Sequence, residues 1–233
     1  MSCSEIFRYN KFYSTTSNNI IKNFTIYGER HSGTNWLAKI IRQSFHLNLI
    51  WKYDYKHFFG CCHWNKLNGA NDTLFIGIVR NIYGWIEGMH RIPYHLPKKD
   101  ILSIKPWCSK SYISERDSFC DSHWYTKEKY TDIFDMRSNK IEFLYLYMPY
   151  LVDNYVFIRY EDLIKHTDQI IDTISENYKL PIIKKEYKAN SKKLHLNNLP
   201  KHYFSKINFD TKWKTENMIG YKKINHYSDN YFL

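Results

Sequence analysis

The segment at residues 28–34 constrains the fold of this 233-residue chain more than any other part of it. An apolar stretch at 24–27 precedes it, and a helical pattern at 36–41 follows it. Glycines near both ends let the backbone curl, so that the amides around Ser32 point at an anion on the helix N-terminus. Strand, glycine-bounded turn and helix together predict a phosphate-binding loop, which we call the phosphate loop (residues 28–34).

The phosphate loop nearly matches the loop of nucleoside triphosphatases. In those enzymes two glycines, separated by four residues, are followed by a lysine and then a serine or threonine. The residue after Gly33 is Thr34, so the lysine that reaches the terminal phosphates is missing. We therefore expect the loop to bind phosphate without hydrolysing ATP.

Strand and helix patterns alternate along the chain. Strands are predicted at 22–28, 47–53, 73–79 and 154–159, and helices at 34–45, 82–91, 138–151 and 160–179. Nearly unbroken apolar runs such as 73–79 are typical of parallel strands covered on both faces. The alternation predicts an α/β fold: a single domain with a mostly parallel, doubly wound sheet flanked by helices. Ligands of such folds bind beyond the carboxyl ends of the strands, where the strand order reverses.

The two ends of the chain are predicted to differ from this core. Residues 1–19 are polar, lack the apolar region of a signal peptide, and are expected to form a loose N-terminal arm. The α/β domain is assigned to 20–233, with its core at 22–178 and a lysine- and asparagine-rich C-terminal extension at 180–233. A short helix is predicted near 184–194. No run approaches the roughly 18 to 20 apolar residues that span a bilayer.

The charge of the chain favours an anionic ligand. Its net charge is +11 and its pI is near 9.2, which suits a nucleotide, an acidic glycan, nucleic acid or a membrane surface, although it also serves solubility. Five cysteines give no disulfide framework and suit a reducing compartment, so the cytoplasm is expected. Cys120 and His123 have the spacing of metal ligands but lack a second pair, so no metal is expected.

Three motifs, in this order, resemble the sulfotransferase superfamily. They are Gly-Glu-Arg-His-Ser-Gly-Thr at 28–34, Val-Arg-Asn at 79–81 and Arg-Tyr-Glu-Asp-Leu at 159–163. The first is closest to a branch whose loop reads Gly-Glu-Arg-any-Ser-Gly-Thr-Asn. The resemblance covers about 22–178 and implies the sulfotransferase variant of the P-loop fold. It also implies transfer of a sulfuryl group from 3′-phosphoadenosine 5′-phosphosulfate to a hydroxyl or amine acceptor, such as a small molecule or a glycan, without a metal.

The resemblance implies which residues bind the donor. Many members have a lysine or arginine just before the loop serine; His31 stands there, so Arg30 is the favoured cation. Arg80 matches the arginine that binds the 3′-phosphate, with an ion pair to Glu87 or Asp162 as the alternative. The serine often found at position 88 is Gly88 here. The implied donor-binding residues are Gly28, Arg30, His31, Ser32, Gly33, Thr34, Asn35 and Arg80.

His57 is the predicted general base, because it follows the second predicted strand and an imidazole titrates near neutrality. The resemblance agrees, since many members carry a histidine after that strand. A structural histidine packed in an aromatic loop stays open as an alternative, with Glu87 as a reserve base. Predicted catalytic residues are His57, Arg30 and His31. Residues predicted to contact the acceptor are Lys56, Glu87, His90, Arg91 and His95.

Two other classes of function stay open. One is an ATP-dependent P-loop enzyme resembling a kinase. The missing lysine and the lack of an obvious magnesium-binding aspartate count against it. The other is a non-catalytic module that binds an anion, a glycan or nucleic acid, which the departures at His31 and Gly88 keep open. Away from the proposed site, Glu161 or Asp162 is expected to cap a helix. Arg137 is expected at a solvated helix end.

Overall fold

The computed structural model describes residues 8–14, 20–57, 59, 67, 70–92, 123, 125–183 and 213–221. Its strands are β1 (Lys11–Ser14), β2 (Asn23–Tyr27), β3 (Asn48–Leu49), β4 (Thr73–Val79) and β5 (Asn154–Arg159). Its helices are α1 (Thr34–Ser44), α2 (Ile82–Arg91), α3 (Ile133–Glu142), α4 (Met148–Leu151), α5 (Tyr160–Lys165), α6 (Thr167–Tyr178) and α7 (Trp213–Met218). A π-helical turn, Phe143–Tyr147, joins α3 to α4.

The strands form one sheet in the order β1-β5-β4-β2-β3. All neighbouring pairs are parallel except β1 and β5, which are antiparallel. The chain runs from β2 to β3 on one side and then to β4 on the other, so the strand order reverses between β2 and β4. Gly28 and Arg80 directly follow these two strands. The predicted α/β class, with one mostly parallel sheet flanked by helices, is confirmed.

Both faces of the sheet are covered by apolar packing. On β4, Leu74, Ile76 and Ile78 pack in a core cluster that includes residues of α1 and α6. Phe75 and Val79 point to the other face and join a cluster with α3 and the π-helical turn. Burial of each such side chain contributes roughly 1.5–3 kcal/mol. The carboxyl ends of the central strands are thereby held as a rigid base for the phosphate loop.

The elements with the clearest apolar patterns lie where the sequence predicts them. Strands β4 and β5 and helix α2 have the predicted bounds, and β2 and α1 differ by no more than one residue at each end. Strand β3 is shorter than predicted: its pairing with β2 ends after Ile50 donates to the carbonyl of Phe24. Beyond this point the chain leaves the sheet edge and Trp51 is exposed.

Two helix predictions and the N-terminal arm need correction. Residues 11–14, predicted to lie in a loose arm, form β1, because β5 offers them a free antiparallel edge. The helix predicted at 138–151 begins at Ile133, because Asp132 accepts hydrogen bonds from the amides of Phe134 and Asp135. The helix predicted at 160–179 is divided at His166. The helix predicted at 184–194 lies outside the described residues.

None of the helices within the described ranges combines the length and the apolar character needed to cross a bilayer. The C-terminal extension contains a helix that the sequence does not predict, α7, three of whose residues are buried or half-buried. Ile219 and Tyr221, which follow α7, belong to the core cluster on the α3 face of the sheet. This part of the extension is therefore integrated into the fold.

Candidate functional site

The phosphate loop is built by internal hydrogen bonds and two left-handed residues. The amide of Gly28 donates to the carbonyl of Lys56 at 2.9 Å. Both the amide and the hydroxyl of Ser32 donate to the carbonyl of Glu29, at 3.2 and 2.6 Å. The Ser32 hydroxyl, expected from the sequence to face an anion, thus closes a turn. His31 (φ 63°) and Gly33 (φ 96°) complete the reversal into α1.

The N-terminus of α1 faces the interior of the loop without a side-chain cap. Gly33 occupies the cap position and brings no acceptor to the first-turn amides. Such amides, together with the helix dipole, favour an anion. The sequence predicts such donors around Ser32 to Thr34; the Ser32 amide is instead bonded to Glu29, and the amides at the start of α1 have no side-chain cap.

Arg80 lies at the carboxyl end of β4, beside the phosphate loop. It is 8 % exposed, and its Nη1 donates to the carbonyl of His31 at 3.2 Å. Its guanidinium lies 5.2 Å over the ring of Tyr160, and a Cβ at Gly84 would be 2.8 Å from its Nε. Within the described residues, that buried Nε has no hydrogen-bond partner. A buried donor left unpaired is costly, which marks this position as fit for an anion.

One of the two carboxylates predicted to pair with Arg80 has another role. Asp162 accepts two hydrogen bonds from Arg159, at 2.6 and 2.8 Å, and one from Asn10. Burial lowers the pKa of Arg80, and Tyr160, Glu161 and Glu87 act in the opposite direction. An arginine nevertheless stays cationic at any working pH. The end of β4 thus carries a fixed positive charge, and its predicted partner Asp162 is bound to Arg159.

His57 lies against the phosphate loop, as the sequence predicts. Its Nδ1 is 2.7 Å from the carbonyl oxygen of Gly28, so this nitrogen donates and Nε2 carries the lone pair of the neutral ring. The Lys140 ammonium donates to the carbonyl of His57 at 2.5 Å. Burial lowers the pKa of His57 to about 3; the Gly28 bond opposes this, while the charges of Arg30, Lys56 and Lys140 reinforce it. The ring is therefore neutral near pH 7.

Lys56 extends the cationic surroundings of the loop. Its Nζ donates to Oδ1 of Asn35 at 2.6 Å, which joins the segment after β3 to the first turn of α1. Burial and the charge of Arg30 lower the pKa of Lys56. The positive charges of Lys56 and Arg30 thus repel each other at this site, and a bound anion would reduce that repulsion.

The two departures from the sulfotransferase pattern contact each other. A Cβ at Gly88 would lie 2.7 Å from Cβ of His31, and Nε2 of His31 is 3.1 Å from the carbonyl oxygen of Ile92. Burial lowers the pKa of His31 to about 4; the Ile92 bond opposes this, and Arg91, Arg80 and Arg30 reinforce it. His31 is therefore neutral near pH 7 and does not carry the fixed charge that the resemblance implies at its position.

We predict that Gly88→Ser lowers stability by about 1–3 kcal/mol, because the new side chain overlaps His31. Urea unfolding followed by circular dichroism measures the loss. In a His31→Gly background, which removes the Cβ that lies 2.7 Å from the new side chain, the same substitution should be nearly neutral, so the two changes form a non-additive cycle. Additive losses across the cycle would contradict the contact.

Arg137 was predicted at a solvated helix end, and that prediction is wrong. Its side chain is 1 % exposed and its guanidinium lies 4.8 Å over Trp85. It donates to Glu29 at 2.7 Å, to Glu216 at 2.6 and 3.0 Å, and to the carbonyl of Arg80 at 2.7 Å. One guanidinium thus joins the phosphate loop, the end of β4 and α7. A signal was present, since Arg137 follows Ile133 and Phe134 at helical spacing on an apolar face.

The carboxylates of 159–163 are structural, but not in the predicted way. Neither Glu161 nor Asp162 caps α5. Glu161 instead accepts from the amide and side chain of Asn81, which itself caps α2 by accepting from Gly84. Asp162 binds Arg159. These bonds fasten the end of β4 to the start of α5 and so support the position of Arg80.

The residues predicted to contact an acceptor are not all brought together. Glu87 is buried in α2, and Arg91 is exposed at its end. His90 belongs to the same helix, and His95 lies outside the described residues. Of that predicted set, Lys56 contacts the phosphate loop through its carbonyl, which accepts from Gly28, and contacts Asn35 through its ammonium.

No family model matches the chain, and no curated protein is significantly similar to it. Within the described part of the chain, no group of three or more His, Cys, Asp and Glu residues could hold a metal ion. Cys61, Cys62, Cys108 and Cys120 lie outside that part, so the absence of a metal stays a prediction.

Proposed function

We propose that the protein is a sulfotransferase that moves a sulfuryl group from 3′-phosphoadenosine 5′-phosphosulfate to a hydroxyl or amine of an acceptor. One observation carries the proposal: the phosphate loop, Arg80 and His57 meet where the strand order reverses. This is the ligand crevice of an α/β sheet. The motifs at 28–34, 79–81 and 159–163 supply the chemical identity of the donor through their resemblance to sulfotransferases.

The residues of the site fit a ligand with two separate anionic groups. The amides at the start of α1 and Arg30 would hold the phosphosulfate, and Arg80, with its unpartnered buried Nε, would hold the 3′-phosphate. When bound, the donor supplies an activated sulfuryl group with a nucleotide as its leaving group. Amides and a fixed cation stabilise charge on the equatorial oxygens of such a group.

His57 would accept the proton of the acceptor hydroxyl at Nε2. The bond from its Nδ1 to Gly28 holds the tautomer and the ring orientation that this role requires. With a pKa of about 3, the free protein has a weak base at this position. Burial is the main cause of that low pKa, and the charges of Arg30, Lys56 and Lys140 add to it. An anion placed among these cations opposes only their part of the shift.

Binding of adenosine 3′,5′-bisphosphate, the nucleotide product of the proposed reaction, tests the proposal. We expect saturable binding by isothermal titration calorimetry, weakened about 10- to 100-fold by Arg80→Ala, because a charge-assisted contact to the 3′-phosphate is lost. Adenosine 5′-monophosphate, which lacks that phosphate, is the matched ligand, and its affinity should hardly change in the variant.

Two outcomes would refute the proposal: no binding of the bisphosphate at millimolar concentration, or an affinity indifferent to Arg80→Ala. Magnesium-dependent turnover of ATP would instead favour the kinase-like alternative. Anion binding that collapses with salt and ignores the nucleotide would favour a non-catalytic module.

A further inference from the structure

A groove opens beside the phosphate loop, between α1 and the segment that follows β3. Its volume is about 250 Å³, and its lining includes Asn35, Lys39, Arg42, Gln43, Trp51 and Lys56. We propose that this groove binds the anionic part of an acidic saccharide and so defines the acceptor class. That the bound saccharide is the acceptor rests on the proposed function, whereas the binding of the saccharide to the groove does not.

The order of the strands places the groove opposite the proposed nucleotide side. Arg80 follows β4, on one side of β2, and the groove lies against Leu49 of β3, on the other side. Transfer reactions of this type hold the attacking and leaving oxygens roughly in line, on opposite sides of the transferred group. With the nucleotide at Arg80, the acceptor enters from the β3 side. His57 directly follows Lys56, which lines this entrance.

The charges of the groove select an anion. Lys39, Arg42 and Lys56 line it, and none of the described residues that line it carries a carboxylate. Lys39 and Arg42 are exposed on α1, whereas Lys56 is half-buried at the junction with the phosphate loop. From Asn35 to Arg42 the helix rises about 10 Å, so the cations are spread along two turns. This spacing suits an extended ligand with repeated negative charge.

Aromatic rings connect the groove to the candidate base. Trp51 is 40 % exposed and Tyr55 is 48 % exposed, and their ring centres are 5.9 Å apart. Tyr55 in turn meets His57 edge to face at 5.6 Å. Exposed flat rings of this kind pack against the apolar face of a sugar ring while polar groups fix its orientation. Rings and cations together fit a saccharide that carries carboxylates or sulfates.

Oligosaccharide titration tests the inference. The anionic probes are hyaluronan and chondroitin sulfate hexasaccharides, which carry carboxylates alone and carboxylates with sulfates; the neutral probe is chitohexaose. We expect calorimetry at physiological salt to show binding of at least one anionic hexasaccharide and much weaker binding of chitohexaose. The Lys39→Ala/Arg42→Ala double variant should weaken the anionic probe about tenfold or more, since it removes two charged contacts.

The control variant is Lys22→Ala. Lys22 is exposed and directly precedes β2, at the amino-terminal end of that strand, whereas the phosphate loop follows its carboxyl end. The control variant should leave saccharide affinity unchanged, and the double variant should leave the affinity for adenosine 3′,5′-bisphosphate within about twofold. The inference fails if neither anionic probe binds, if chitohexaose binds equally, if the double variant has no effect, or if hexathymidylate competes as well as the saccharides.

The nucleotide and saccharide titrations test the two proposals separately. Saccharide binding that depends on Arg42, in a protein that does not bind adenosine 3′,5′-bisphosphate, would retain the groove and refute the sulfotransferase proposal. Nucleotide binding without saccharide binding would retain the sulfotransferase proposal and refute the groove.

Discussion

Replacing Arg137 by methionine is expected to lower the free energy of unfolding by about 3–5 kcal/mol, because it leaves two carboxylates buried without their cation. Glu29 and Glu216 are each 2 % exposed, and both depend on this guanidinium. Urea unfolding followed by circular dichroism measures the loss. Adding Glu29→Gln and Glu216→Gln to the variant should recover most of it, because neutral amides tolerate burial better than carboxylates.

The loss should also depend on pH. Burial raises the pKa of Glu29 from 4.5 to about 7, even though Arg137 and Lys140 oppose the rise. Since the folded state retains this proton longer than the unfolded state, the contribution of Glu29 to stability is full below about 4.5 and is lost as the pH rises through 7. Without Arg137 the carboxyl pKa rises further, so the variant should be less impaired at pH 5 than at pH 8. A loss below 1 kcal/mol, or one independent of pH, would contradict the network.

Gly33→Ala is expected to abolish measurable binding of adenosine 3′,5′-bisphosphate and to cost about 2–4 kcal/mol of stability. Gly33 has φ 96°, a region that alanine enters only with strain. A Cβ there would also lie 2.5 Å from the ring of Tyr160. Both problems displace the first-turn amides of α1 from the anion. Calorimetry and thermal unfolding measure the two effects.

A Tyr160→Ala background provides the control for Gly33→Ala. There the clash with the ring is gone and only the backbone strain remains, so Gly33→Ala should cost less stability relative to Tyr160→Ala alone than it costs in the unmodified protein. Nucleotide binding should stay impaired, because the turn still requires a positive φ at position 33. An unchanged dissociation constant in Gly33→Ala would show that these amides do not hold the nucleotide.

The parts of the fold that follow from local pattern are predictable from the sequence. The runs at 73–79 and 154–159 are largely apolar and form mostly buried strands at those residues. The contact between His57 and the phosphate loop follows from the same reasoning, because parallel strands end at one edge of the sheet. The mostly parallel sheet and the position of His57 beside the phosphate loop therefore needed little beyond periodicity and glycine placement.

The features that could not be predicted are pairings between distant segments. Lys11–Ser14 is too short to show a periodic pattern and becomes a strand only because β5 has a free edge. Arg137 and Glu216 are 79 positions apart, and no local sequence pattern indicates that they form a hydrogen bond. From the sequence, Gly88 is only the absence of a serine hydroxyl, whereas in the structure His31 packs against it. Such contacts are decided by packing in three dimensions.

The contact between His31 and Gly88 also restricts how this protein can change over generations. A Cβ at position 88 would lie 2.7 Å from the Cβ of His31 and 2.8 Å from its Cγ. Replacing the imidazole alone does not make room, since every residue except glycine keeps the Cβ at position 31. Descendants that carry a serine at position 88 should therefore have a glycine at position 31 or a shifted phosphate loop.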